Sequence, residues 1–84
     1  MMEKNWYCYV VMCADNTLYT GITNNLDKRL AAHNGGTASK YTRSRLPVQL
    51  VYYEPHVDRS AASKREIEIK QWSRERKFAL IAGT

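Results

Sequence analysis

The sequence predicts an α+β domain: a small three-stranded, mainly antiparallel sheet flanked by helices, in the order β-β-α-β-α. Three observations carry that prediction. An unbroken aromatic and β-branched run, Trp6 to Cys13, is followed at once by a turn pair and a second short strand pattern. Two later segments repeat apolar residues at helical spacing behind polar caps, and a third β-rich run lies between them. At 84 residues the chain has room for one domain, residues 1–84, with a thin core and a shallow cleft rather than a deep pocket.

Trp6–Cys13 (WYCYVVMC) shows no polar alternation, the pattern of a central strand covered on both faces. Asp15-Asn16 then turns the chain into Thr17–Gly21 to make a hairpin. Its register is open in the sequence. A two-residue Asp15-Asn16 loop pairs Cys13 with Leu18 and puts Tyr9 and Tyr19 on opposite faces. A three-residue Ala14-Asp15-Asn16 loop sets Val11 opposite Tyr19 and Tyr9 opposite Gly21, with both hydroxyls on one side. Thr23, Asn24 or Asn25 can cap a first helix through Leu26, Arg29, Leu30 and His33, which Asn34-Gly35-Gly36 ends. Gly35–Pro47 has loop composition and exposes Lys40, Arg43 and Arg45. A third strand is expected from Val48 to Glu54, closed by Pro55, and a second helix from Ser60, as its cap, to Lys77. The apolar Phe78–Ile81 tail is expected to dock back on the body.

An apolar share of 44% and a charged share of 25% are ordinary globular values and exclude a disordered tail. No apolar run approaches the roughly 20 residues a spanning helix needs, so no membrane partner is expected. The polar start Met1–Asn5 has no apolar signal region, which predicts a cytoplasmic protein. Cys8 and Cys13 fall on opposite faces of their strand and cannot bridge. With no CxxC pair, and with His33 and His56 far apart, they do not make a zinc site, and they read as buried thiols. Thirteen Lys and Arg against eight Asp and Glu give a net charge of +5, which favours a polyanion, of which nucleic acid is the commonest.

On the first helix Leu26 and Leu30, about 40° apart, define the inward stripe. Arg29 and His33, an i, i+4 pair, flank it and emerge where helix meets sheet; Lys28, on the far side, is an ordinary solvated charge. The plain alternatives are a snorkelling arginine and a partly cationic imidazole near a helix C-terminus. On the second helix Ala62 and Ile69 face inward and Glu66 falls inside their stripe. A carboxylate there needs a partner: Arg29, a tyrosine hydroxyl or a divalent cation, with a structural pair to an arginine across the helices as the competing role. Glu68 points away and is solvated. Tyr7, Tyr52 and Tyr53 read as half-buried packing residues. Lys40, Arg43 and Arg45, interleaved with Tyr41, can grip backbone phosphates while the ring stacks on a base, or can form a solvated loop.

Taken in order, Tyr7-Cys8-Tyr9, Tyr19-Thr20-Gly21, the run from Arg29 to His33-Asn34, and Glu66 resemble the GIY-YIG nuclease domain, more narrowly its small stand-alone bacterial form. The likeness covers most of the chain and includes the segments LYTGIT, DKRLAAHN and REIEIKQWSRERK. It departs from the name-giving tripeptides at Tyr7, where the family has glycine, at Cys8 and at Thr20, where it has isoleucine. The resemblance implies that Tyr9 and Tyr19 are the motif tyrosines, Arg29 the helix arginine, His33 its polar partner one turn on, and Glu66 the metal carboxylate. It further implies a metal-dependent endonuclease that hydrolyses phosphodiester bonds in DNA, single-stranded or branched. Structure rather than sequence preference and a role in DNA repair or recombination belong to the same implication. One Mg²⁺ or Mn²⁺ on Glu66 is implied, and no small-molecule cofactor. Arg29 would neutralise the phosphate, and Tyr9 or Tyr19 would orient or deprotonate the water, with His33 a rival base. The family's catalytic domain is often joined to a DNA-binding domain, and with none here, low affinity and low sequence specificity are expected. The alternative is a nucleic-acid-binding module on the same scaffold with little or no turnover.

Overall fold

The computed structural model describes residues 5–83; the polar start Met1–Lys4 lies outside them. The elements run β1 (Trp6–Met12), β2 (Leu18–Thr23), α1 (Leu26–Asn34), α2 (Lys40–Arg43), β3 (Gln49–His56), α3 (Arg59–Lys70) and α4 (Arg74–Ala82). The strands form one antiparallel sheet in the order β2-β1-β3, so β1 is central as its composition requires.

The hairpin takes the odd register. The Cys13 amide donates to Thr17 O at 2.8 Å and the Asn16 amide to Cys13 O at 2.9 Å, which leaves Ala14-Asp15-Asn16 as a three-residue loop. Such loops end in a left-handed residue, and Asn16 sits at φ 68°. Val11 therefore pairs with Tyr19 and Tyr9 with Gly21, and Tyr9 and Tyr19 share a face. On that face Tyr9, Val11 and Cys13 pack with Val48, ringed by Tyr19, Leu26, Leu30, Leu46 and Leu50. Cys8 and Val10 point the other way, where α3 lies against β1 and β2 and buries Ala62 and Ile69. Both cysteines are free and buried. Among the described residues no helix is long and apolar enough to cross a membrane.

Four expectations are corrected. Gly35–Pro47 is not all loop, since Ser39 caps a helical turn at Lys40–Arg43 by accepting from the Tyr41 amide. β3 does not stop at Pro55 but runs through it to His56; β3 is an edge strand, where proline's missing donor need not leave a ladder bond unmade. The cap of α3 is Asp58, not Ser60, through its side chain and the Ala61 amide. The second helix is broken after Lys70, and Ser73 caps α4 by accepting from the Arg76 amide. An unbroken helix from Arg59 to Ala82 would be about 36 Å long against roughly 23 Å for a seven-residue strand. The break shortens that overshoot and sets the half-buried Phe78–Ile81 segment, the expected docking tail, in the helix that lies against β3.

Candidate active site

The first tyrosine, the helix histidine and a threonine form one buried chain. Tyr9 Oη lies 2.8 Å from His33 Nε2, and His33 Nδ1 lies 2.8 Å from Thr42 Oγ1. Tyr9 comes from β1, His33 from the last turn of α1 and Thr42 from α2; His33 and Thr42 are fully buried and Tyr9 nearly so. The Thr42 hydroxyl donates to Ser39 O at 3.4 Å, so its lone pairs accept from Nδ1–H. That leaves Nε2 bare to accept the Tyr9 proton. Burial, then the nearby Arg29 cation, holds the His33 pKa below its usual value, so the imidazole is neutral rather than the cationic C-terminal residue of the plain reading. Burial, then Tyr19, pushes the Tyr9 pKa well above the usual phenol value; Arg29 pulls it down and Glu66 pushes it up. Thr42 was not singled out in the sequence, where a threonine in loop composition carries no mark of burial.

Gly21 explains the end of the second tripeptide. A Cβ at this position would meet Tyr9 Oη at 2.6 Å and Cζ at 2.8 Å. The Tyr9 ring therefore lies across Gly21 on its way to His33. Tyr19 meets the His33 ring edge-on at 5.4 Å between centroids and stacks on Tyr41 at 6.0 Å. Arg29, one turn before His33, is half-buried and acts on both Tyr9 and His33 through its charge. Glu66 approaches from α3 with its side chain 21% exposed and its Oε2 3.2 Å from Lys70 Nζ. Its charge acts on Tyr9 and Cys8, and Lys70 Nζ sits 5.8 Å over the Tyr19 ring. Tyr9, Tyr19 and His33 meet directly, while Arg29 and Glu66 reach Tyr9 through their charges from α1 and α3; the partner of Glu66 is a lysine of its own helix, not an arginine across the helices. Glu68 is exposed and takes Arg65 Nη1 at 2.9 Å.

Among the described residues no three His, Cys, Asp or Glu side chains gather as a ready-made metal cage. One part-exposed carboxylate fits a Mg²⁺-like ion held jointly with phosphate oxygens and waters, the manner in which that ion usually binds. Glu54, also unmarked in the sequence, is the most heavily engaged carboxylate. Burial works against its charge, but Tyr52 Oη, His56 Nε2 and Arg65 Nε, at 2.5, 2.7 and 2.9 Å, hold its pKa below the usual range. It ties β3 to α3. Tyr7 is half-buried as expected, whereas Tyr53 is 53% exposed, its ring meeting that of Tyr7 edge-on at 6.0 Å.

The basic segment divides. Lys40 and Arg43 are exposed and line one cavity of about 410 Å³ with Gly36–Ser39. Arg45, expected to be exposed, is half-buried: it reaches Asp15 Oδ2 at 3.1 Å, donates to Tyr41 O at 2.7 Å and lies 4.0 Å over the Tyr41 ring. With Arg45 O accepting from the Ala14 amide at 2.9 Å, it staples α2 to the hairpin turn. Asp15 is held below the usual carboxylate range first by the Thr17 hydroxyl, with Arg45 adding to it. Tyr41 is caught between Arg45 and Tyr19, so one face of its ring is not open to a base.

A family model described as the GIY-YIG catalytic domain matches residues 5–79. The chain belongs to the GIY-YIG family. A UPF0213 protein of Desulfotalea psychrophila is 56% identical over 80 residues, covering 94% of this chain and 73% of that one. A UPF0213 protein of Staphylococcus haemolyticus is 51% identical over 75 residues, 89% and 92% of the two chains. The solution NMR structure of a UPF0213 protein from Bacillus halodurans superposes with a TM-score of 0.59 at 36% identity, over 92% of this chain and 82% of that one. A protein from E. faecalis, also solved by NMR, gives 0.60 at 36% identity, over 93% and 84%. In this GIY-YIG domain the glycine-to-tyrosine departure at Tyr7 falls at the second residue of β1, opposite Thr23 at the end of β2, where a half-buried ring is accommodated. Thr20 pairs with Val10 and is buried, as an isoleucine there would be.

Proposed function

We propose that this GIY-YIG domain is a divalent-metal-dependent endonuclease that hydrolyses phosphodiester bonds in DNA, acting by structure rather than sequence in DNA repair or recombination. The observation that carries the reading is the buried Tyr9–His33–Thr42 chain, with the Arg29 cation and the Glu66 carboxylate both close enough to act on Tyr9. A phenol pushed upward does not serve as a standing phenolate. It serves as a relay: a water gives its proton to Tyr9 Oη while Tyr9 passes its own to the neutral His33 Nε2. Nδ1–H stays on Thr42, which keeps the imidazole in the accepting tautomer. Arg29 neutralises the phosphate through its planar guanidinium. Glu66 would hold the divalent ion, which supplies charge neutralisation at the phosphate and a lowered water pKa when bound.

The test is cleavage of single-stranded, duplex and branched DNA with Mg²⁺ or Mn²⁺, beside purified Glu66→Ala and Arg29→Ala proteins. Product from the wild type and none from the variants is expected. The Glu66–Lys70 ion pair favours one other reading, a binding module whose carboxylate is a helix-stabilising group. No product, with the fold intact and DNA still bound, would establish that reading instead.

A further inference from the structure

We propose that the cleft between the end of β2 and the first turns of α1 is a subsite for a backbone phosphate of a DNA strand, one or two nucleotides from the phosphate at Arg29. The inference rests on the nuclease reading of Arg29 and extends it to where the strand goes. A cavity of about 260 Å³ lies there, lined by Thr23, Asn24, Asn25, Lys28, Arg29 and Ala32. It is smaller than the roughly 300 to 1,000 Å³ pockets that take drug-sized ligands, and its size suits a phosphate with its sugar. Arg29 lines this wall and also acts through its charge on Tyr9 and His33, so it is the residue that cleft and site share. Lys28, which the helical count put on the solvated side, lines the same cleft; it is exposed and has no carboxylate partner among the described residues.

The polar groups are set for an anion. Asn25 Oδ1 is taken by the Lys28 amide at 3.0 Å, which leaves the Asn25 side-chain NH₂ as a donor in the cleft that Lys28 also lines. Thr23 lies two residues beyond Gly21, about 6 to 7 Å at strand rise. At about 3.4 Å of helix axis per phosphate on one strand, that is one or two nucleotides from the position over Tyr9. The adjoining cavity, toward Tyr7, is lined by Asp27 and by no cation, so a strand leaving Arg29 is turned to the Lys28 side.

The experiment is binding of a fluorescein-labelled DNA oligonucleotide without divalent ion, read by anisotropy from low to moderate salt, for wild type and Lys28→Ala. Alanine at an exposed helix position keeps the fold. The variant should bind more weakly for all sequences, and its slope of log K on log salt should shrink by about 0.7 to 0.9. Methylphosphonate replacement, one phosphate at a time, should weaken wild type at one flanking position to which Lys28→Ala is indifferent. An unchanged slope and an identical methylphosphonate profile would overturn the subsite, as would absence of wild-type binding at low salt. The nuclease reading fails separately: a wild type that never cuts but shows the Lys28-dependent profile keeps the subsite, and one that cuts with an unchanged profile loses only the subsite.

Discussion

Two hydrogen bonds to one imidazole set the chemistry this domain can perform. In Tyr9→Phe the ring stays across Gly21 while the relay hydroxyl is lost. Single-turnover cleavage should fall about 10² to 10⁴-fold, the usual worth of a positioned proton-transfer group, and the melting temperature should drop as well, because His33 Nε2 loses its partner in a buried site. Thr42→Val keeps the side-chain shape but strands Nδ1–H in a dry site, which costs about 1 to 3 kcal/mol, measurable by denaturant unfolding. The pH dependence has a definite sign. The folded His33 pKa is depressed, so between the ordinary value near 6.5 and the lower folded value the unfolded chain binds more protons than the native one. Stability is therefore unpenalised above that window and falls as pH drops through it. Cleavage should hold through that window and fail only below it, where pH passes the depressed folded value and the native base becomes protonated. In His33→Gln the melting temperature should lose this slope; a wild-type melting temperature flat between pH 7 and 5 would mean that His33 is not held neutral by its surroundings.

The hairpin is the element that decides whether there is a site at all, because a one-residue slip would move Tyr19 to the other face from Tyr9. Gly21→Ala tests the close approach directly. The new Cβ cannot coexist with Tyr9 Oη at 2.6 Å, and the ring, being buried, can yield only by drawing its hydroxyl away from His33. Cleavage should drop about as far as in Tyr9→Phe, while NMR contacts across the Val11–Tyr19 pair show the strand register kept. How much of this was legible varies by element for physical reasons. The unbroken run of β1 announced a central strand, and Asn25 was among the named caps of α1. The register was not readable, because Asp15-Asn16 serves a two-residue loop as well as a three-residue one; the affinity of asparagine for the left-handed region favoured the longer loop. The break at Gln71-Trp72-Ser73 was hidden because Gln and Trp are acceptable in a helix and Ser73 as a new cap was the sole trace. Glu66 was found from its stripe, yet its partner Lys70, at i+4, was the ordinary choice for a helical carboxylate.

At the scale of the whole molecule, shape and charge decide how a polyanion can be held. The fold measures 39 × 29 × 18 Å, a slab whose core is little more than the two faces of β1, so binding must come from the surface. Much of the +5 charge is unpaired: Arg45, Arg65 and Lys70 are engaged by carboxylates, whereas Lys40 and Arg43 on α2 are not. This separates residues that the sequence placed in one basic loop. Removing Lys40 and Arg43 together should weaken DNA binding without regard to sequence and reduce the slope of log K on log salt by about 1.4 to 1.8, two counterions' worth. Arg45→Ala should leave that slope unchanged. What it removes is a solvent-screened ion pair of little weight, together with a guanidinium stacked on Tyr41 and the hydrogen bond to Tyr41 O, so the loss appears as a lowered melting temperature. It should also appear as slower cleavage, because α2 carries the Thr42 that orients His33. Anisotropy titrations at several salt concentrations beside thermal melts distinguish the two kinds of arginine. A slope reduced in Arg45→Ala as much as by a phosphate-binding cation would return Arg45 to the DNA path, and the staple between α2 and the hairpin turn would then be a resting contact that DNA displaces.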